Sequence, residues 1–391
     1  MHCNVVDSLA DIKADSWNAL VGADNPFLRY EFLRALERNS CVGAGSGWEP
    51  RHLLLYEDEA LVGASPMYLK FHSYGEYVFD WAWADAYNRY GHKYFPKLVV
   101  AVPFTPVSGP RLLCAEGPQA AEIRLNLIAG ARQAAQQLKA SSVHWLFTDE
   151  RDQAALGECD LLSRTGCQYH WENQDFRDFD DFLDSLTSKK RKQVKRERRQ
   201  AAGAGLEIGI YDGHDISADQ WQAFYEFYCA TYDKKWGMPY LTAGFFEEIG
   251  QTLPESVSLV MAARDGTYVA GALCLKGSNV MFGRNWGCAE FHPALHFEMC
   301  YYQTIERCIK LGLKRFEAGA QGEYKMSRGL LPTPTYSSHW IEHPDFRRAI
   351  GHFVEEEHVD VSRFVEYMGQ HSPYNARRSA TTLPADGEGN V

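Results

Sequence analysis

The sequence predicts an α+β protein in which each sheet is mixed, mainly antiparallel and flanked by helices. In the second half, strand-like runs at 257–265, 267–277 and 279–288 follow one another before a long helical segment and a further short strand. Strands that meander in this way pair antiparallel, whereas a doubly wound fold alternates strands with helices. The chain of 391 residues, 45% of them hydrophobic, is also long enough for two cores.

The elements of the first half follow from their periodicity. Apolar residues recur with helical spacing in 25–40, and an Ala-, Leu- and Gln-rich segment predicts a helix that ends near Lys139. Two β-like runs on either side of the acidic residues 57–59 predict an antiparallel hairpin. The aromatic segment 76–91 is interpreted as a strand that runs into a loop. Shorter runs predict strands at 110–114 and 142–147.

The second half contains the same kinds of element. A strand is predicted first, then two helices, then the three strands already described. The next helix has a proline near its start and Gly312 just after its end, the usual asymmetry of helix termini. A short strand, a strand-like run and a long helix from about Asp345 to Met368 complete this half. The first strand of this half is 206–213, and the two helices after it are 218–237 and 243–253. The helix that ends before Gly312 is 293–312, the short strand is 314–319 and the strand-like run is 337–344.

A strongly basic segment separates the halves. Residues 187–199 contain eight basic residues and one acidic residue, whereas the whole chain has a net charge of -11. Ser188 is a suitable N-cap and no breaker precedes Gly203, so the segment is predicted to be a linker helix. We therefore divide the chain into a first domain (1–185), the linker helix (186–204), a second domain (205–373) and a disordered tail (374–391).

The basic helix has two interpretations. One face is predicted to bind phosphates of a nucleic acid, and the other possibility is that the same charges pair with the acidic remainder of the protein. The predicted nucleic-acid-binding residues are Lys190, Arg191, Lys195 and Arg198.

The sequence gives no indication of a membrane protein, a disulfide-stabilised protein or a metalloprotein. The start of the chain has no signal-peptide pattern, and apolar runs such as 98–102 are too short to span a bilayer, so a cytoplasmic protein is expected. Ten cysteines occur singly without a C-x-x-C pair, which favours reduced thiols over disulfides or zinc. His296 and Glu298 match half of a deaminase signature, but the P-C-x-x-C half is missing. No metal site is predicted.

Several motifs stand out along the chain: "PFTPVSGPRLL", "GLEIGIYDG" after the basic helix, "MFGRNWGC", "LHFEMCYYQTIE" and "RFEAGAQGEYKMSRGLLPTPTYSSHW". Together they resemble a bacterial Fem-like family whose members are labelled peptidoglycan biosynthesis or recognition proteins. The resemblance extends to about residue 375. It implies two tandem GNAT-like acyltransferase domains, related to Fem-type enzymes that pass an amino acid from aminoacyl-tRNA to an amine.

The resemblance implies a donor and an acceptor. The donor would be aminoacyl-tRNA and the acceptor an amine of a peptide or small molecule, with no tightly bound cofactor and a monomeric or homodimeric protein. GNAT domains that use acetyl-CoA carry a Q/R-x-x-G-x-G/A loop, and neither 285–297 nor 109–124 contains one. An acyl-CoA donor is therefore the alternative. A non-catalytic peptidoglycan- or RNA-binding protein is the other alternative.

Three residues are candidates for catalysis. Acyl transfer needs an uncharged amine and stabilisation of the oxyanion that forms. The resemblance assigns oxyanion stabilisation to Lys325, since Fem-type ligases have an aromatic–Lys pair before a glycine; a surface ion pair with Glu323 is the alternative. Glu317 would accept the amine proton or bind an ammonium group, unless it only pairs with an arginine. His296 is a candidate general base or a packing histidine.

The substrate-binding candidates lie in both halves. Arg284 and Trp286 are expected to share one face of their strand by alternation, and the start of the following helix attracts anions. The segment around residue 85 is interpreted as a groove for a polar substrate, with an aromatic core edge as the alternative. The complete set is Arg284, Trp286, Glu298, Tyr301, Gln321, Tyr324, Arg328, Asp80, Trp83, Asp85, Tyr87 and Arg111.

Overall fold

The computed structural model describes residues 1–233 and 237–375, and it confirms the α+β prediction. The described strands are β1 (His2–Val6), β2 (Trp48–Pro50), β3 (His52–Glu57), β4 (Ala60–Ser65), β5 (Met67–Lys70), β6 (Lys97–Val100), β7 (Leu113–Cys114), β8 (Ser142–Thr148), β9 (Leu162–Glu172), β10 (Glu207–Asp212), β11 (Val257–Arg264), β12 (Thr267–Lys276), β13 (Val280–Cys288), β14 (Arg315–Glu317) and β15 (Leu331–Ile341).

The helices surround these strands. They are α1 (Ala14–Val21), α2 (Tyr30–Arg38), α3 (Trp81–Arg89), α4 (Ala120–Gln137), α5 (Glu150–Gly157), α6 (Phe179–Ser185), α7 (Ser188–Ala202), α8 (Ala218–Asp233), α9 (Ala243–Thr252), α10 (Leu295–Phe297), α11 (Gln303–Leu311) and α12 (Pro344–Gln370). A π-helical turn, Glu298–Tyr302, joins α10 to α11, and a short 3₁₀ turn spans Glu323–Arg328. None of the described helices is both long and apolar enough to cross a bilayer.

Eleven strands form one continuous sheet in the order β10-β11-β12-β13-β14-β9-β15-β8-β6-β5-β2. Only the β13–β14 and β6–β8 pairs are parallel within it. Strands β1, β3, β4 and β7 form a second, antiparallel sheet, which contains the predicted hairpin. The long strand β15 returns from late in the chain to lie between β9 and β8. The sheet therefore passes without a break across the proposed linker, and the domain boundaries stay a prediction.

Strand β9 was missed by the sequence patterns. It has eleven residues and lies at the centre of the large sheet, yet polar side chains such as Arg164, Gln168 and His170 are buried along it. Alternation of apolar and polar residues marks a strand that has one wet face, and β9 has none. Its burial follows from neighbours that are distant in sequence, β14, β15 and α12.

Residues 81–89 form helix α3 rather than the predicted strand and loop. Trp83 and Tyr87 are four residues apart, so both point from one helical face, and both are buried beside Phe346. Trp81 and Asp85 lie on the exposed side. The aromatic content suggested a strand, but the spacing of the buried aromatic residues is helical.

The basic segment is a helix, as predicted. Helix α7 begins after Thr187 and buries only Val194, Glu197 and Ala201. It packs on one face of the large sheet, where Val194 joins an aromatic core that contains Trp171 and Phe316. Tyr374, the first residue of the predicted tail, is buried in the same core, and residues 376–391 lie outside the described residues.

Candidate functional site

The candidate site lies at the point where two parallel strands separate, and we call the region between them the cleft. β13 and β14 pair from Val280–Arg315 to Phe282–Glu317, and no further pair follows. The paired residues 280–282 are buried, whereas residues 283–286 of β13 are half-exposed. The glycine-rich segment 318–329 continues from the end of β14. The cleft is therefore bounded by the free part of β13 and this segment.

Lys325 lies inside the glycine-rich segment. Its side chain is buried, with 4% of the residue exposed, and its Nζ donates to the carbonyl oxygens of Ala318 (2.5 Å) and Gly319 (3.1 Å). Burial lowers the pKa of Lys325 from 10.5 to about 8. Glu323 is exposed and forms no ion pair with Lys325. The lysine is thus an interior group held by backbone carbonyls at the end of β14, and the surface ion pair is not formed.

Arg328 holds this segment against helix α7. It is 3% exposed, and its Nη2 and Nε donate to the two carboxylate oxygens of Glu197 at 2.8 and 3.1 Å. Its Nη1 donates to the carbonyl of Tyr324 at 2.6 Å, and its guanidinium lies 3.4 Å from the centre of the Phe297 ring. Tyr302 also donates its hydroxyl to Glu197. Arg328 therefore positions the turn that carries Lys325.

Aromatic rings line the cleft on the Lys325 face. His296 contacts Trp286, Tyr301 and Tyr324 at centroid distances of 5.2, 5.4 and 6.3 Å. The π-helical turn after α10 places Tyr301 toward these rings, and such turns are common at functional sites. Burial, with Arg328 and Lys325 nearby, lowers the pKa of His296 to about 4, so the imidazole is neutral at pH 7.

Glu317, the last residue of β14, lies on the other face of the sheet. It is 2% exposed, forms an ion pair with Arg315 (Nε–Oε1 3.2 Å) on the same face, and lies 3.9 Å from Nε2 of His170. Burial raises the pKa of Glu317 to about 7, and the charge of Arg315 only partly offsets this effect. His170, which the sequence patterns missed with the rest of β9, is buried and has its pKa lowered by burial to about 3.

The expectation that Arg284 and Trp286 share a face is wrong. The register between β12 and β13 shifts after Gly283, so Arg284 occupies a β-bulge and the alternation reverses. Trp286 faces His296, whereas Arg284 turns to the opposite face and donates to the carbonyl of Phe104 at 2.5 Å. Burial lowers the pKa of Arg284, and no carboxylate of the described residues pairs with it.

Two further candidates lie near the cleft. Glu298 is buried and binds Arg198 of α7, with Nη2–Oε1 at 3.0 Å, and it also accepts from Gln303 at 2.7 Å. Gln321 is exposed within the glycine-rich segment. Glu298 therefore links the π-helical turn to α7, while the exposed Gln321 is free to contact a ligand.

The structure does not bring the first-half candidates to the cleft. Asp80 is buried in a network in which Lys97 and Tyr94 donate to its carboxylate. Trp83 is buried against His339, with centroids 5.0 Å apart, and Asp85 is exposed on α3. Because Asp80 and Trp83 are interior, they line no open groove.

Tyr87 and Arg111 are interior for similar reasons. Tyr87 stacks on Phe346 at 3.8 Å between ring centroids. Arg111 is 0% exposed, and its guanidinium donates to the carbonyl oxygens of Leu146, Gly109, Pro110 and Val107. A side chain that makes four hydrogen bonds inside the protein and is fully buried stabilises its loop and is not accessible to a substrate anion.

The four predicted nucleic-acid-binding residues all contact the protein. Lys190 donates to Ser327 Oγ at 2.7 Å, and Arg191 pairs with Asp184 at 2.7 Å. Lys195 lies 3.9 Å from Asp180. Arg198 pairs with Glu306 at 2.9 Å as well as with Glu298. This face of α7 therefore carries ion pairs and one hydrogen bond that fix the helix to α6 on one side and to the second half on the other.

Residues 8–376 match a family described as FemAB-like, peptidoglycan biosynthesis/recognition. The chain belongs to the FemAB-like family. The Fem-like resemblance is thereby confirmed, and membership supports a transferase. No curated protein matches the chain.

Solved structures share the fold of this FemAB-like protein. The C-terminal domain of an Agrobacterium fabrum protein assigned as a lysylphosphatidylglycerol synthetase has 10% identity and a TM-score of 0.55, covering 86% of this chain and 94% of that one. FemX also has 10% identity and a TM-score of 0.55, covering 90% and 100%. A tandem GNAT protein from the clavulanic acid biosynthesis pathway has 11% identity and a TM-score of 0.47, covering 88% and 99%. The first two similarities show that the chain shares the fold of FemX and of the synthetase domain, as the Fem-like resemblance predicted.

Proposed function

We propose that this FemAB-like protein is an N-acyltransferase that moves an aminoacyl group from aminoacyl-tRNA to an amine of a peptide or small molecule. The observation that carries the proposal is the buried ammonium group of Lys325, held by two carbonyl oxygens where β13 and β14 separate. A cation fixed in a site of low polarity stabilises negative charge that develops on a reacting carbonyl far better than one in water.

In the proposed reaction the amine nitrogen attacks the carbonyl carbon of the aminoacyl ester. The carbonyl oxygen becomes an oxyanion, which the ammonium group of Lys325 stabilises. The proton lost by the amine passes to Glu317, the bond between the acyl carbon and the ribose oxygen breaks, and the ribose oxygen receives the proton. The product is an amide and a free ribose hydroxyl.

Glu317 suits the role of base better than His296. A general base works best when its pKa lies near the working pH. The pKa of Glu317 is raised to about 7, whereas that of His296 is lowered to about 4. His296, with Trp286, Tyr301 and Tyr324, is proposed to bind the acyl group on the Lys325 face.

The other candidates are assigned from their positions. Gln321 is proposed to bind the donor at the entrance of the cleft. Arg284 is proposed to bind an anionic group of the acceptor on the opposite face of the sheet. Arg328 and Glu298 are proposed to act through the segments that they position.

A transfer assay with charged tRNA tests whether aminoacyl-tRNA is the donor. Full-length protein is incubated with bulk tRNA charged with labelled amino acids and with a cell extract that supplies acceptors. We expect label to pass into an alkali-stable amide, and Lys325→Met to reduce this transfer by about 10²–10³-fold, the usual cost of losing one oxyanion donor. Lys310→Met, which changes an exposed lysine of α11, is the matched control.

The alternatives give different results. Consumption of acetyl-CoA in place of charged tRNA would establish the acyl-CoA donor, and the absent phosphate loop argues against it. Binding of peptidoglycan fragments or RNA without any transfer would establish a non-catalytic protein. If Lys325→Met changes neither transfer nor binding, the proposed mechanism is wrong.

A further inference from the structure

Four cations of α7 have no partner among the residues that the structure describes. Lys189, Lys192, Arg196 and Arg199 are exposed, and none forms an ion pair within the described part of the chain. Their spacing of three, four and three residues places them along one side of the helix. From Lys189 to Arg199 the helix rises by ten steps of 1.5 Å, about 15 Å in all. We call these four residues the free basic stripe.

The residues of the free basic stripe form no ion pairs with the described residues, although acidic side chains are abundant in this chain. The chain has a net charge of -11, so acidic side chains are abundant. The opposite side of the same helix uses such acids: Arg198 binds Glu298 and Glu306, and Arg191 binds Asp184. Like charges at this spacing repel one another, so an uncompensated stripe destabilises its own helix. An external anion with repeated charges would remove that cost.

We propose that the free basic stripe binds the phosphate backbone of an RNA. The proposal rests on the proposed function, because it names the surface that would hold the tRNA part of the donor. Successive charges along the stripe rise by about 4.5–6 Å, which suits the repeat of phosphates along one strand. The stripe starts beside Lys190, which contacts Ser327 two residues after Lys325. The start of the stripe is therefore the end of α7 that lies closest to the turn carrying Lys325.

The far end of the stripe offers a second contact. Arg199 lines a cavity of about 400 Å³ together with three apolar side chains and the polar groups of Arg198, Glu298 and Gln303; the apolar residues are Ala202, Leu206 and Ile208. A cavity of this volume is large enough for one unstacked base, with a cation at its edge for the adjoining phosphate. Phosphate contacts along the stripe and one base contact at its end would fix the register of the RNA.

An anionic membrane fits the surface less well. Helices that bind bilayers bury an apolar face beside their basic residues. The only large apolar residue in the basic part of α7 is Val194, which is fully buried, and none of the exposed large apolar side chains of the described residues lies on α7. A flat anionic surface would also approach the acidic remainder of the protein, whereas an RNA strand contacts only a narrow stripe.

Binding of deacylated bulk tRNA to the full-length protein tests the proposal without requiring chemistry. Four phosphate contacts predict a salt slope near -3 to -4, so affinity should fall about 10²-fold between 50 and 200 mM salt. Replacing all four stripe residues by Gln should lower the affinity at least about tenfold at 100 mM salt and flatten the slope by about 3. The matched control replaces the exposed Lys13, Arg89, Lys93 and Lys310 by Gln, with the same loss of charge.

The outcomes separate this proposal from the proposed function. If the stripe variant binds tRNA as tightly as the unchanged protein, or no more weakly than the control, the stripe is not an RNA surface. Binding to vesicles of three parts phosphatidylcholine and one part phosphatidylserine, but not to tRNA, would also overturn it in favour of lipid. Lys325→Met should keep tRNA affinity while losing transfer; tRNA binding without transfer by the unchanged protein would refute only the proposed function.

Discussion

The ion pair between Glu197 and Arg328 gives the sharpest prediction. Glu197 is the one acidic residue among the basic residues of α7, and it accepts from Arg328 twice, from Tyr302 and from Gln193. Glu197→Ala removes all four bonds at once. The guanidinium of Arg328 would then remain inside the protein without a counter-charge, and the turn that carries Lys325 would lose its attachment to α7.

The size of the effect follows from burial. Arg328 is 3% exposed and Glu197 7%, so neither group can turn to water without moving the backbone. Removing one partner of a buried ion pair costs about 3–5 kcal/mol, because the remaining charge is uncompensated. With a urea m-value of about 3 kcal/mol/M, this corresponds to a midpoint lower by about 1–1.7 M.

Urea unfolding followed by tryptophan fluorescence measures this loss. Glu197→Gln keeps the shape and one acceptor oxygen, so it should cost less, about 1–2 kcal/mol. Glu207→Ala removes an exposed carboxylate on β10 and should change stability by no more than about 0.5 kcal/mol. If Glu197→Ala unfolds at the same urea concentration as Glu207→Ala, the buried pair does not hold the Lys325 turn and the positioning role of Arg328 is refuted.

Three further predictions concern the charges of the cleft and its surroundings. The rate of transfer should rise as pH passes about 7, where Glu317 loses its proton, and fall above about 8, where Lys325 loses its own; a flat kcat/KM profile between pH 6 and 9 would contradict these roles. Because the pKa of Glu317 is raised from 4.5 to about 7, folding is favoured below pH 4.5 and loses up to about 3 kcal/mol as pH rises through 7. Urea unfolding should therefore find Glu317→Gln more stable than the unchanged protein at pH 8 relative to pH 4, and an equal difference at both pH values would be evidence against the buried carboxylate. Arg111→Met should lower the free energy of unfolding by about 3 kcal/mol yet leave the KM for the acceptor unchanged, since the arginine binds only carbonyl oxygens; a raised KM would restore it as a substrate-binding residue.

Local patterns predicted the parts of the fold that depend on neighbours in sequence. The hairpin of β3 and β4 and the meander of β11 to β13 have the periodicity of their final structure. Helix α7 was predicted because no breaker precedes Gly203. Strand β9 could not be found in this way because its polar residues are buried by strands from other parts of the chain. The bulge at Arg284 was also hidden, since an extra residue in a strand is defined by the pairing of its partner.

The sequence by itself determined which chemical groups are present: a lysine among glycines and eight cations in one helical segment. Only the tertiary structure decided what those groups face. Lys325 became an interior ammonium because the end of β14 turns its carbonyls toward it. The cations of α7 divided into a paired side and a free basic stripe because their acidic partners pack against only one side of the helix; these are Asp180 and Asp184 of α6 and, about a hundred residues away, Glu298 and Glu306. Burial and ion pairing depend on distances in space, and packing sets those distances.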